Sequence, residues 1–326
     1  MKYRFLIDGN DVTDFIGSVS WRDSIDTLGS QLSFTLATSR RDRRFSSVWD
    51  YTLGSKAQII NVEGSLLDTV ITEESIGERT TDFTAYDMAW YLNKSTVVRQ
   101  FKKMQGNECV KALCKDLEIP VEVKGLDAII DKIYRDMTVA EVIQDIIGQC
   151  SKHSPKDFFL EFYLGKLVIR PFEKIEVKGS FEAYPGTFYD VASNAGSISL
   201  SRSIEDLKNS VLVVTGDKQA VRVEGKAEDE ESIEKFGKVQ EVIELDEKDY
   251  GKANLVAKNE LKKLNVVAEN FSIRVLGDDK VRSGRVIKLD LPLYGLSGDY
   301  LIKEANHTLD GGIHMTDLVL EAYRDE

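Results

Sequence analysis

His307 and His314 stand seven residues apart around the turn Asp310-Gly311-Gly312. The glycine pair tolerates the positive φ that a two- or three-residue hairpin loop requires, so the two imidazoles can face each other across paired strands. Together with Asp310 or Asp317, such a pair could ligate a metal ion. The plainer reading is two half-exposed strand residues. His153 completes the set of three histidines, so any histidine-activated nucleophile must draw on these positions. Cys150 and His153 have ligand-like spacing, but no second pair accompanies them in the sequence. Cys109 and Cys114 are five apart, about 140° around a helix, and do not share a face. The cysteines therefore read as small buried apolar side chains. Ser232-Ile233-Glu234-Lys235 matches a Ser-x-x-Lys nucleophile pattern, yet it follows the acidic run Ala227-Glu228-Asp229-Glu230-Glu231. That context reads as a solvated loop, and the match as chance. Glycoside hydrolysis needs only two carboxylates, and 55 acidic residues leave such a pair open. The chain has no P-loop, no dinucleotide-binding glycine turn and no metal histidines at helical spacing. The expectation is no catalytic residue, no cofactor and no metal.

The elements that would position these residues are mostly short strands. Tyr3-Arg4-Phe5-Leu6-Ile7 ends at the turn Asp8-Gly9-Asn10-Asp11, and Gln31 to Ala37 alternates, with Leu32, Phe34 and Leu36 on one face. Lys56–Val62 and Asp68–Thr72 read as further strands around the turn Glu63-Gly64-Ser65, and Thr84–Leu92 reads as a helix. The pattern then changes. Asn107 caps an expected helix through Leu117 with Val110, Leu113, Cys114 and Leu117 on one face, and Pro120 follows as a stop. Thr138-Val139-Ala140-Glu141 is a capping box, opening a helix whose buried stripe is Val142, Ile143, Ile146, Ile147 and Cys150. Phe158–Tyr163 and Lys166–Arg170 read as a hairpin around Leu164-Gly165. Strands return at Ser197–Ser203 and Ser210–Val214, are interrupted by a helix from about Tyr250 to Leu264, and close with Gly284–Pro292, Gly298–Ile302 and the run through Ala322. Lys262 and Lys263 suit that helix's C-terminal dipole. The fold class is α+β, mainly β, with a first barrel-like domain at 1–95, an α+β domain at 96–194 and a second barrel-like domain at 195–326.

Composition limits function. A chain of 326 residues has room for two or three domains at about 100–200 residues each. The net charge of −12 argues against a nucleic-acid-binding surface, which needs clustered Lys and Arg. An acidic wall would let DNA slide past without sticking, and solubility alone is the blander account. Arg40-Arg41-Asp42-Arg43-Arg44 could dock an acidic partner or be a solvated loop. Three cysteines without a disulfide framework fit assembly in a reducing cytosol. No apolar stretch reaches the roughly 18 residues of a membrane span. Met1-Lys2-Tyr3-Arg4-Phe5-Leu6-Ile7-Asp8 meets a charge before a signal-like core can form, so no secretory signal is expected.

Three segments resemble one family in order and spacing. They are Thr84-Ala85-Tyr86-Asp87-Met88-Ala89-Trp90-Tyr91-Leu92-Asn93-Lys94-Ser95, then Ser203-Ile204-Glu205-Asp206-Leu207-Lys208-Asn209-Ser210-Val211, and Phe236-Gly237-Lys238-Val239-Gln240 with the helix and hairpins that follow. The chain resembles the PBSX-type prophage tail proteins, related to the late-control-gene-D and baseplate hub group of contractile phage tails and phage-tail-like bacteriocins. The resemblance implies two tail-tube-like barrels per chain. Three chains would give six barrels, a pseudo-six-fold face for a hexameric tail tube and a three-fold face for a spike. It implies a homotrimer whose partners are the tail tube protein, the spike, other baseplate proteins and, as a candidate, the tape-measure protein. Specific nucleic-acid binding and membrane insertion are not expected. Assembly would occur in the bacterial cytoplasm, with release as part of a virion or bacteriocin. The chain ends at Glu326 soon after the last strands, so no fused hydrolase or spike is expected. Two rivals stand beside the hub. One is a tail-associated cell-wall hydrolase. The other is a tail-fibre receptor- or carbohydrate-binding module, for which Trp21 or Trp49 would line a groove.

Overall fold

The computed structural model describes residues 3–38, 51–151, 158–163, 165–171, 173–175, 177, 197–215, 222–245, 251, 253–291 and 296–323. Arg40 to Arg44, Trp49, His153, Leu164 and Tyr250 lie outside the described residues. The chain forms two compact units, one from 1–198 with 272–326 and the other from 199–271. The fold is mainly β, with several sheets.

The first unit is built on one long sheet. Its strands run in the order Ile313–Ala322, Leu296–Asp310, Ile16–Ser24, Gln31–Ala37, Thr80–Tyr86, Gly64–Ile76, Lys56–Asn61, Arg4–Ile7 and Asn10–Asp11. Val286–Leu291 adds beside Leu296–Asp310, and the pairings along this path are antiparallel. Among the described residues the path does not return to its start, so no barrel closes. The strands near the start and end of the chain meet where Ile16–Ser24 pairs with Leu296–Asp310, with Trp21 opposite His307. Period-two patterning explains the inward face. Leu32, Phe34 and Leu36 are buried, and Phe34 stacks on its cross-strand partner Phe83 with centroids 5.2 Å apart.

The helix expected over Thr84–Leu92 is corrected. Thr80–Tyr86 is a strand, and a helix follows only at Ala89–Lys94. Thr81, Phe83 and Ala85 point inward at period two, which a helix cannot reproduce. Asp87 ends the strand. Its carboxylate accepts the Ser30 N–H at 2.7 Å and the Ala89 N–H at 3.0 Å.

A second core in the same unit gathers helices Gly106–Asp116 and Val139–Ser151, the paired strands Thr96–Gln105 and Ile129–Thr138, and the three-stranded sheet of Phe158–Tyr163, Lys166–Pro171 and Val121–Val123. The capping box forms as its residues require. The Thr138 N–H donates to Glu141 Oε2 at 2.7 Å, and the Glu141 N–H donates to Thr138 Oγ1 at 3.2 Å. Val142, Ile143, Ile146 and Cys150 are buried. Each fully buried side chain of this size, Phe101 and Ile130 among them, contributes about 1.5–3 kcal/mol.

In the second unit, Ser210–Thr215 lies between Arg222–Glu228 (antiparallel) and Gln240–Glu244 (parallel). Helix Ala253–Leu264 packs Ala253 and Ala257 on Val211 and Val213. Gly225 permits this approach, since a Cβ there would sit 2.6 Å from the Ala253 carbonyl. The acidic run is not a loop. Asp229 caps helix Glu230–Phe236 by accepting the Ser232 N–H, and Glu230 and Glu231 occupy the first turn, where the helix dipole favours acids. Among the described residues no helix is long and apolar enough to cross a membrane.

Candidate functional site

Among the described residues, several polar side chains converge on the loop 277–285 of the first unit. Asp278 starts a turn by accepting the Lys280 N–H at 3.0 Å, and Gly284 has φ +73°, a conformation that favours glycine. From this loop Asp279 reaches the first strand and its neighbour. The Tyr3 hydroxyl donates to Asp279 Oδ1 at 2.6 Å and Asn61 Nδ2 donates to Oδ2 at 2.9 Å. The Ser283 N–H donates to Asp23 Oδ1 at 2.9 Å. Arg282 Nε lies 3.1 Å from Asp23 Oδ2, a charge contact without hydrogen-bond geometry. Its guanidinium sits over the Tyr163 ring at 4.9 Å and donates to the Phe162 carbonyl at 3.3 Å. Arg285 pairs with Glu161 at 2.9 Å and lies over Phe159. One loop thus fastens the N-terminal strands, the second core and the closing hairpin.

The histidine pair belongs to this junction. Gly311 and Gly312 both have positive φ, and Asp310 pairs with Ile313 around them, so the hairpin loop has two residues. His307 registers with Thr316 and His314 with Leu309, which makes the imidazoles diagonal neighbours on one face. Their Nδ1 and Nε2 atoms are 2.9 Å apart. They are not half-exposed: His307 is buried, and the His314 side chain is 8% exposed. Trp21 stacks on His307 at 4.8 Å with planes 2° apart. Burial pushes His307 down to about 4.

A metal does not follow from this meeting. Asp317 is held by Arg274 in a bidentate pair at 2.6 and 2.7 Å, and Asp310 is exposed at the turn. Among the described residues no group of three or more His, Cys, Asp or Glu side chains could hold a metal ion. Ser232 donates its hydroxyl to Asn265 Oδ1 at 2.6 Å, while Lys235 lies over the Phe236 ring. Cys109, Cys114 and Cys150 are buried free thiols of the second core. Trp21 is core, not the lining of a groove. Tyr3, His307 and Trp21 are buried and present no open face to a substrate.

Two of the three family-like segments also meet, 203–211 and 236–240. Asn209, fully buried, donates to the Gly237 carbonyl at 2.7 Å and accepts the Val239 N–H at 2.8 Å. One motif therefore secures the turn of another. The loop 277–285 was missed in the sequence, although its Gly277-Asp278-Asp279 start and Gly284 bracket are turn signals. The long-range partners Tyr3, Asp23 and Glu161 leave no such local mark.

The chain is similar to known proteins. Bacillus subtilis (strain 168) has the protein YqbQ, 27% identical over 252 residues, covering 73% of this chain and 72% of that one. The same organism's phage-like element PBSX protein XkdQ is 23% identical over 304 residues, covering 88% of this chain and 86% of that one. The crystal structure of the 43 kDa tail protein of prophage MuSo2 from Shewanella oneidensis has the same fold. Its TM-score is 0.73 at 13% identity, over 98% of this chain and 96% of that one. The expected likeness to PBSX-type proteins holds. Residues 19–321 match the YQBQ-like family model, and the chain belongs to the YQBQ-like family.

Proposed function

We propose that this protein is a structural baseplate hub of a contractile injection particle, a phage tail or phage-tail-like bacteriocin. The observation that carries the reading is a fold held in common, along nearly the whole chain, with a prophage tail protein. The relationship to a protein of the phage-like element PBSX supports it. The polar groups that do converge, around 277–285, are engaged with one another and join pieces of chain, as a load-bearing part needs. Three copies would form a ring that matches a six-fold tail tube on one face and a three-fold spike on the other, around a central channel. No residue performs a reaction in this role. Its neighbours would be the tail tube, the spike and other baseplate proteins, joined in the bacterial cytoplasm before release.

The test is an antibody blot across a density gradient of particles released after DNA-damage induction of the source bacterium. The hub account expects sedimentation with tail particles at low copy number. Protein left in the soluble fraction while tube protein sediments would overturn it.

A further inference from the structure

The hydrogen bonds around the histidine pair can be counted proton by proton. His307 Nε2 lies 2.9 Å from the Val281 carbonyl, which only accepts, so that nitrogen carries a hydrogen. A neutral His307 then has Nδ1 as an acceptor, facing His314 Nε2 at 2.9 Å and the Thr316 hydroxyl at 3.1 Å; two bare ring nitrogens would repel at 2.9 Å, so His314 supplies the hydrogen there, while the Thr316 hydroxyl can turn its own away. At the other end, the Tyr3 hydroxyl spends its single hydrogen on Asp279 Oδ1 at 2.6 Å. Tyr3 Oη is also 2.9 Å from His314 Nδ1. That contact needs a hydrogen from Nδ1. His314 therefore donates from both ring nitrogens.

We propose that His314 is an imidazolium inside the folded protein, with Asp279 as its counter-ion through the Tyr3 hydroxyl, forming a clasp that holds only while protonated. The surroundings suit a cation. The Trp21 ring lies 5.1 Å from the His314 ring, and Asp279 Oδ1 is 3.8 Å from Nδ1. Gly277 backs the imidazole so closely that a Cβ there would fall 2.1 Å from its Cγ. Placing the proton on His307 instead would charge the more deeply buried ring, which burial opposes. Placing it on Asp279 would put it on the weaker base. Among the described residues, Asp278 and Arg282 also act on His307, and Arg282 is matched by Asp23.

The consequence is a pH-sensitive tie between the first strand, the loop 277–285 and the last hairpin. Above about pH 6.5 the unfolded chain releases this proton while the folded chain keeps it. The clasp's contribution is therefore complete in mild acid and is lost as pH rises through the folded-state titration. With the proton gone, one of the three contacts has no hydrogen.

The test is ring-nitrogen NMR of the full-length protein with labelled histidine, at about pH 7.5, where a solvated ring is about one-tenth charged. His314→Gln and His307→Gln spectra assign the signals. The expected result is a His314 ring that is predominantly charged, about tenfold above the solvated fraction, beside a neutral His307 with its hydrogen on Nε2. Asp279→Asn is the decisive variant. An amide there can accept from Asn61 and donate to Tyr3 Oη, freeing the Tyr3 hydrogen for His314 Nδ1. The network then closes with every ring neutral, and the variant folds with an uncharged His314. A neutral His314 in the wild type, or a charged one in Asp279→Asn, would overturn the proposal.

Discussion

Arg285 and Glu161 meet in a 2.9 Å ion pair with side chains only 9% and 12% exposed. A pair this enclosed is costly to break from one side, because the remaining charge loses its partner away from water. Arg285→Met alone is expected to destabilise the protein by about 3 kcal/mol. The double variant Arg285→Met with Glu161→Leu recovers most of that loss. Urea denaturation of the three proteins measures both. A single-variant cost below about 1 kcal/mol would place the pair with exposed salt bridges instead.

Gly284 makes the same junction sterically unforgiving. A Cβ at this position would lie 1.9 Å from the Phe159 ring, and φ is +73°. Gly284→Ala is expected to cost about 3 kcal/mol through clash and backbone strain together. Phe159→Ala in the same chain should relieve the clash and leave the strain, so the double variant costs less than the sum of the singles. Strict additivity in a double-mutant cycle would argue against the contact.

The three thiols should be silent in the folded protein. Burial pushes Cys109 up to about 11 and Cys114 up to about 12, and raises Cys150 as well. A thiol reagent at about pH 8, near the pKa of a free cysteine, is expected to label none of them until denaturant is added. Rapid labelling of any one in the native protein would contradict its burial.

Local signals predicted what local physics controls. The Thr138–Glu141 capping box, the alternation of Leu32, Phe34 and Leu36, and the Gly311-Gly312 loop each formed as their residues require. Thr84–Leu92 went the other way because sheet pairing with Gln31–Ala37 overrode a short apolar run that a helix could also use. The strands Thr96–Gln105 and Ile129–Thr138 escaped notice because much of both strands is exposed, leaving no clean alternation to read. The histidines were visible as a pair, but not their burial. That depends on Trp21, Tyr3 and Asp279, which come from distant parts of the sequence. Long-range pairing of this kind leaves no trace in spacing.

His307 gives a pH dependence with a definite sign. Its folded pKa of about 4 lies below the ordinary 6.5, so between these values the unfolded chain binds more protons and stability falls as pH drops. Asp87, pushed up to about 6 by burial, acts in the opposite sense over much of the same range. Comparing the wild type with His307→Gln cancels the Asp87 contribution, which both proteins share. The advantage of the wild type over His307→Gln in urea should be largest near neutrality and shrink at about pH 5, with a full range on the order of 3 kcal/mol. An advantage that does not change with pH would mean that the ring is not kept neutral by folding.

A hub of the kind proposed above is present in a small fixed number of copies per tail particle. The most direct measure of that number is absolute quantification of this protein against the tube protein in purified particles, by mass spectrometry with labelled peptide standards. A trimeric hub gives three copies per particle, half the number of tube subunits in one six-fold ring. Six copies, a number that grows with tail length, or absence from the particle would contradict it.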